Sequence, residues 1–166
     1  MVYFITKVFK QPLVKLGKIF GINENSTAGI IACLAHNIPM YNILKDMDER
    51  GKIINIASML SFQGGKFVPP YTASKHAVAG ITKAFANELA NKNIQINAIA
   101  PGYIKTANTA PIRADEKRNA EILGRIPAER WADPSDLMGA VVFLASKASD
   151  YINGHILAVD GGWLVR

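Results

Sequence analysis

The chain has 166 residues, 49% of them hydrophobic and 19% charged, and a net charge of +6 at pH 7. This is the composition of a folded domain with a real core; it excludes a disordered segment, and a single cysteine, Cys33, excludes an internal disulfide. The charge is uneven, with Lys7, Lys10, Lys15 and Lys18 and no acid in residues 1–20, and with no nucleic-acid motif beside them these lysines read as a solvated basic face.

The N-terminus is not a secretory signal, because lysines and Pro12 interrupt its apolar residues. With one cysteine, the chain is expected in a reducing, cytoplasmic compartment. Residues 28–44, AGIIACLAHNIPMYNIL, carry His36, Asn37, Pro39 and Asn42 and fall short of a membrane span. They read as a buried or interfacial helix pair broken at Pro39, so residues 1–50 are expected to be mainly helical, with membrane contact as their one alternative use. MDERGK (47–52) reads as a charged turn at Gly51 that separates 1–50 from 51–166.

Beyond that joint the pattern is regular. KIINIA (52–57) is a β-branched run and predicts a buried strand. SFQGGKFVPP (61–70) reads as loop. From Thr72 to Asn91, Ala77, Val78, Ile81, Ala84, Phe85 and Leu89 recur at helical spacing. IQINAIA (94–100) predicts a second buried strand, ended by Pro101-Gly102. Residues 103–132 form a polar, lightly helical insertion. Asp133, Pro134 and Asp136 suit a helix start as cap, first-turn residue and dipole partner, and 137–146 is the helix body. HILAVD (155–160) predicts a last buried strand, closed by Gly161-Gly162. Apolar strands alternating with helices predict an α/β fold, a parallel sheet with helical crossovers.

Three segments of this pattern carry chemistry to one edge of the sheet. Tyr71 and Lys75 lie four apart, on one face of a helix if it has begun there. An ammonium close to a phenol favours the phenolate, and such a pair can exchange a proton with an alcohol or carbonyl oxygen. Ser58 follows the first strand, and ligands of parallel sheets bind at the carboxyl ends of the strands. Its hydroxyl can address the same oxygen. Pro101-Gly102 ends the next strand at that edge, where a backbone could approach a flat ligand closely. Each piece alone is a common surface pattern; the order and spacing together are not. His36, His76 and His155 have no metal-like spacing, so no metal site is expected.

NIAS (55–58), Tyr71, Lys75, NAIAPGYIKT (97–106) and AVDGGW (158–163) resemble, in order and spacing, the short-chain dehydrogenase/reductase signature. The resemblance covers residues 51–166. IINIASMLSFQGG, INAIAPGYIKTANT, RADE, RIPAERW, SDLMGAVVFLAS and AVDGGW are similar to members acting on deoxy-hexulosonate- and gluconate-type sugar acids with NAD. It implies the C-terminal part of a Rossmann-like sheet. Tyr71 would be the general acid/base, Lys75 would tune it and hold the nicotinamide ribose, and Ser58 would orient the substrate oxygen. Asn55 would support the site's shape; Pro101, Gly102, Ile104 and Thr106 would line the nicotinamide. Residues 107–131 would form a lid over the sugar acid, with Arg113, Arg125 and Arg130 as candidates for its carboxylate by charge. Family members assemble through the helix near Tyr71 and the last helix-strand pair, which implies a homo-oligomer.

The sequence departs from this family at its front. No G-x-x-x-G-x-G or G-x-G-x-x-G occurs, and the Asn-Asn-Ala-Gly segment, the acidic residue that selects NAD and the catalytic asparagine have no counterpart. The N-terminal βαβ units are therefore expected to be missing, and little turnover is expected from these 166 residues alone. Glu129 stands where the family usually has glycine, which implies strain if the position needs positive φ. Residues 1–57 resemble a segment of the ethanolamine-utilisation transporter family through AGII…NIPMY and KDMD, which implies a chimera joined at GKIINIA (51–57). A transporter fragment or a non-catalytic remnant is the alternative reading.

Overall fold

The computed structural model describes residues 51–166. The helix pair expected at 28–44 and the turn residues 47–50 lie outside them. Strand β1 (Gly51–Ile56) is followed by helix α1 (Pro69–Leu89), strand β2 (Ile94–Pro101), short helices α2 (Ala110–Ala114) and α3 (Glu116–Leu123), helix α4 (Met138–Ala145) and strand β3 (Ile156–Val159). The three strands form one parallel sheet in the order β1-β2-β3. Ile53 pairs with Ile96 and Ile56 with Ile99, while Ala98 pairs with Ile156 and Pro101 with Val159.

Alternation along the strands sorts the two faces. Ala98, Ala100 and Ile156 pack with Ala57 against Ala79 of α1, and the small residues let helix and sheet approach closely. On the opposite face Ile54 and Ile99 pack against Leu144 of α4, with Leu157 and Val159 at the margin. A third apolar cluster lies past the strand ends. It joins Met59, Ile122, Ile126, Trp131 and Trp163, and so roots the insertion on the segment that follows β1.

Polar side chains fix the loop before β3. Asn97 is buried; its Nδ2 donates to the Ile152 carbonyl at 2.8 Å and its Oδ1 accepts from His155 N at 2.9 Å. Asn153 Oδ1 accepts from Ile96 N at 2.8 Å. These bonds set the register of β3 against β2, since a slip of one residue would leave buried amides unpaired.

Several elements differ from expectation. Gly51 opens β1 rather than closing a turn. Helix α1 begins at Pro69, not Thr72: both prolines sit in its first turn, where the missing N–H would have had no partner. Its buried positions are Ala79, Thr82 and Ala86, whereas Ala77, Ile81 and Ala84 face outward. Thr82 escaped the apolar pattern because it is polar, yet its hydroxyl donates to the Val78 carbonyl at 2.8 Å and accepts from Asn55 Nδ2 at 2.9 Å. The start of the last helix follows the expected chemistry. One 3-10 turn (Pro134–Leu137) leads into α4, and the Asp136 carboxylate accepts from Asp133 N at 2.7 Å.

Glu129 has φ 53°, the left-handed conformation that favours glycine. Its N–H donates to the Ile126 carbonyl at 2.9 Å, closing the turn after α3. A non-glycine residue there costs roughly 1–2 kcal/mol, partly offset by the larger unfolded-state entropy of glycine. Glu129→Gly is therefore expected to stabilise the fold by about 0.5–1 kcal/mol. Thermal unfolding of the two chains checks this: a higher midpoint for the variant agrees, an equal or lower one does not.

Candidate active site

The site grows from the end of β1. The chain leaves the strand after Ile56, and Ser58 caps a 3-10 turn (Met59–Ser61): its hydroxyl accepts from Leu60 N at 3.2 Å. Ser61 Oγ closes the reciprocal half, accepting from Ser58 N at 3.3 Å, and donates to the Lys75 carbonyl of α1 at 2.7 Å. Ser61 thus ties the Ser58 turn to the helix at the turn that carries Lys75. Sequence reasoning missed it, although the Ser-x-x-Ser spacing is a helix-start signal.

Because α1 begins at Pro69, Tyr71 and Lys75 are both helical and one turn apart. Lys75 Nζ donates to the Ile56 carbonyl at 2.8 Å and lies 5.6 Å from the Tyr71 ring centroid. Burial pushes the lysine's pKa below its ordinary value. Tyr71 is 48% exposed, so a ligand can reach it, while Ser58 is buried at the base of the turn. His76, beside the lysine, is exposed, with Nδ1 3.0 Å from the Thr72 carbonyl. Among the described residues no group of His, Cys, Asp and Glu could hold a metal.

The end of β2 forms the second wall. Gly102 N donates to the Val159 carbonyl at 3.0 Å, and a Cβ on Gly102 would lie 2.7 Å from the Asp160 Cα. The close approach that makes glycine necessary here is made by the chain leaving β3. Ile104 is buried, and its backbone bridges Ala132, which joins the two ends of the 107–131 segment. Thr106 is exposed and held by Thr109, whose hydroxyl accepts from Thr106 N at 2.9 Å and donates to the Ile104 carbonyl at 2.7 Å. Asn55 is buried inside β1 and supports α1 through Thr82.

The three arginines of the lid separate. Arg130 is bidentate to Asp136, at 2.7 and 2.9 Å. That hydrogen bond raises the arginine's pKa and lowers the carboxyl's to about 2. Arg113 Nη2 donates to the Thr106 carbonyl at 3.2 Å. The Arg125 guanidinium lies 4.0 Å from the Trp163 ring centroid and donates to Gln63 Oε1 at 3.2 Å.

A family profile described as Enoyl-(Acyl carrier protein) reductase matches residues 17–164. The 2-dehydro-3-deoxy-D-gluconate 5-dehydrogenase of Bacillus subtilis is 75% identical over 116 residues, 70% of this chain and 46% of that protein. A structure from Agrobacterium tumefaciens with bound NADP is 53% identical with a TM-score of 0.73, over 86% of this chain and 58% of that one. The gluconate 5-dehydrogenase of Burkholderia cenocepacia, in complex with NADP and tartrate, is 35% identical with a TM-score of 0.72, over 86% of this chain and 54% of its own. The chain spans about half the length of the curated relatives it matches. The comparisons bring no support for the transporter resemblance of residues 1–57, and the family match begins inside that stretch. Among the described residues, no helix is long and apolar enough to cross a membrane.

The Arg130–Asp136 pair has a pH signature. Asp136 titrates at about 2 in the folded chain, against an ordinary 3.8, so it contributes stability above the ordinary value that is lost as pH falls towards 2. In a carboxyl NMR titration its midpoint is expected near 2, and Arg130→Gln should return it towards 3.8. A midpoint near 4 in the unaltered chain would exclude the pair.

Proposed function

The chain belongs to the short-chain dehydrogenase/reductase family, and on that premise we propose that residues 51–166 are the catalytic part of a nicotinamide-dependent oxidoreductase. Its substrate is the secondary alcohol or ketone of a sugar acid of the 2-dehydro-3-deoxy-D-gluconate or gluconate type, as the names of the relatives suggest. One observation carries the reading: a half-buried lysine ammonium, fixed on the last carbonyl of β1 two residues before Ser58, beside a reachable phenol.

In this reading Tyr71 takes the hydroxyl proton during oxidation and returns it during reduction. Lys75 stabilises the negative charge that develops on the phenol oxygen. Ser58 orients the substrate oxygen at the mouth of its turn. For that, its hydroxyl has a free O–H to donate, because the bond to Leu60 N uses only its acceptor side. Nicotinamide, when bound, accepts or supplies the hydride at the carbinol carbon.

The residues present suit the nicotinamide-ribose end of such a cofactor. Lys75 directs one N–H at Ile56; an ammonium has three donors, so two remain for a vicinal diol. Pro101 ends β2, and Gly102, Ile104 and Thr106 follow it along the edge where the nicotinamide would lie. The acid that would choose NAD, expected from the resemblance, has no counterpart in the sequence, and the relatives crystallised with NADP keep both dinucleotides in play. We place the boundary of this catalytic part at Gly51, where β1 begins. The outward Ala77, Ile81 and Ala84 of α1, with Met138 and Val142 of α4, are the apolar faces through which a cytoplasmic homo-oligomer would form.

The test joins residues 51–166 to the N-terminal half of the Bacillus subtilis relative and follows reduced nicotinamide at 340 nm with 2-dehydro-3-deoxy-D-gluconate. We expect turnover, and a loss of about 10²- to 10⁴-fold in kcat for Tyr71→Phe. An unchanged kcat in the phenylalanine variant would remove Tyr71 from the chemistry.

A further inference from the structure

We propose that Arg125 is the residue that receives the substrate carboxylate, on a platform made by Trp163 and Gln63. The proposal rests on the sugar-acid reading above and names the group that would fix the substrate's orientation.

The resemblance and the charges left three arginines equal; the geometry does not. Arg130 already holds a carboxylate in both forks of its guanidinium, and using it would leave Asp136 without its partner at the start of α4. Arg113 is turned back onto the chain: its Nη2 bonds the Thr106 carbonyl and its Nε is buried without an acceptor among the described residues. Arg125 differs from both. None of the ion pairs among the described residues involves it, and its one hydrogen bond goes to a neutral amide, Gln63.

Its position is built from three separate parts of the chain. Arg125 stands at the end of the lid helix α3, which closes at Leu123. Gln63 belongs to the loop between Ser58 and Tyr71, five residues after the serine. Trp163 is buried in the cluster that also holds Met59, the neighbour of Ser58. The guanidinium therefore bridges the lid to the very loop that joins two proposed catalytic residues. The indole face holds it by cation–π attraction, which fixes its plane without neutralising it. A guanidinium has five N–H donors in a rigid fork; one is used by Gln63, and the rest suit a carboxylate. The Trp163 indole Nε1 is also buried without an acceptor among the described residues, so this cluster holds more donors than acceptors.

The test reads binding rather than turnover. Tryptophan fluorescence has two sources in this chain, Trp131 and Trp163. The full chain is titrated with 2-dehydro-3-deoxy-D-gluconate and, separately, with its carboxamide. We expect a saturable change with the acid, weakened roughly ten- to hundredfold in Arg125→Gln, an intermediate loss in Arg125→Lys, and equal weak binding of the carboxamide to all three chains. Circular dichroism identifies a variant that fails to fold, and calorimetry repeats the titration without an optical probe. Acid binding by Arg125→Gln equal to that of the unaltered chain overturns the proposal, as does absence of any acid-dependent signal in the unaltered chain. The two readings fail separately. Normal binding by the variant beside Tyr71-dependent turnover sinks the carboxylate assignment alone. Arg125-dependent binding without turnover in the fused protein sinks the oxidoreductase reading alone.

Discussion

The bond from Lys75 Nζ to the Ile56 carbonyl is the constraint on which the rest of the site depends. A half-buried ammonium without a partner would be costly, and the carbonyl at the end of a strand is a fixed acceptor. For the bond to form, α1 must lie close against the sheet and present its second turn to the end of β1. The small residues Ala57, Ala98 and Ala100 opposite Ala79 permit the first. The start at Pro69 secures the second, because it places Tyr71 and Lys75 one turn apart within regular helix. Ser61 adds a second tie at the same helical turn, from the segment that carries Ser58. Phenol, ammonium and hydroxyl are therefore placed by one local packing arrangement.

Around that fixed centre the lid is rooted by apolar contact and trimmed by charge. Ile122, Ile126 and Trp131 anchor it on Met59, and Tyr103 packs edge-on against both Trp131 and Trp163. Two of its cations are matched locally, Arg118 with Glu121 and Arg130 with Asp136, and Lys105 just before it pairs with Asp133. Exposed pairs of this kind contribute little to stability. Their consequence is electrostatic: they remove part of the positive charge that competes with Arg125 at the joint between lid and loop.

Much of this was legible in the sequence because its signals are local. The three strands are short apolar runs whose observed ends fall within one residue of the runs in the sequence; β1 and β2 are buried on both faces, whereas β3, expected to be buried too, lies at the end of the sheet order with Ala158 exposed. The chemistry of Asp133, Pro134 and Asp136 announced the start of the last helix. What escaped notice depended on partners far away in the chain. The prolines at 69 and 70 read as loop, but in a first turn they cost nothing. Thr82 and Ser61 are polar and broke the apolar pattern, yet each is buried on a partner that only the fold brings near. Charge alone could not rank the arginines, since the rank comes from Asp136, Thr106 and Gln63. Glu129 is the case where the resemblance exposed what periodicity could not: a position whose usual glycine matches the positive φ found there.

The most direct measurement is the titration of the Lys75 side chain itself, followed by ¹⁵Nζ NMR. If the ammonium is held half-buried at the end of β1, its midpoint falls below the ordinary lysine value of 10.5, and Tyr71→Phe leaves it low because the cause is burial and not the phenol. A midpoint at or above that ordinary value would mean that Lys75 is free in solvent, and the arrangement of Tyr71 and Ser58 around it would have no foundation.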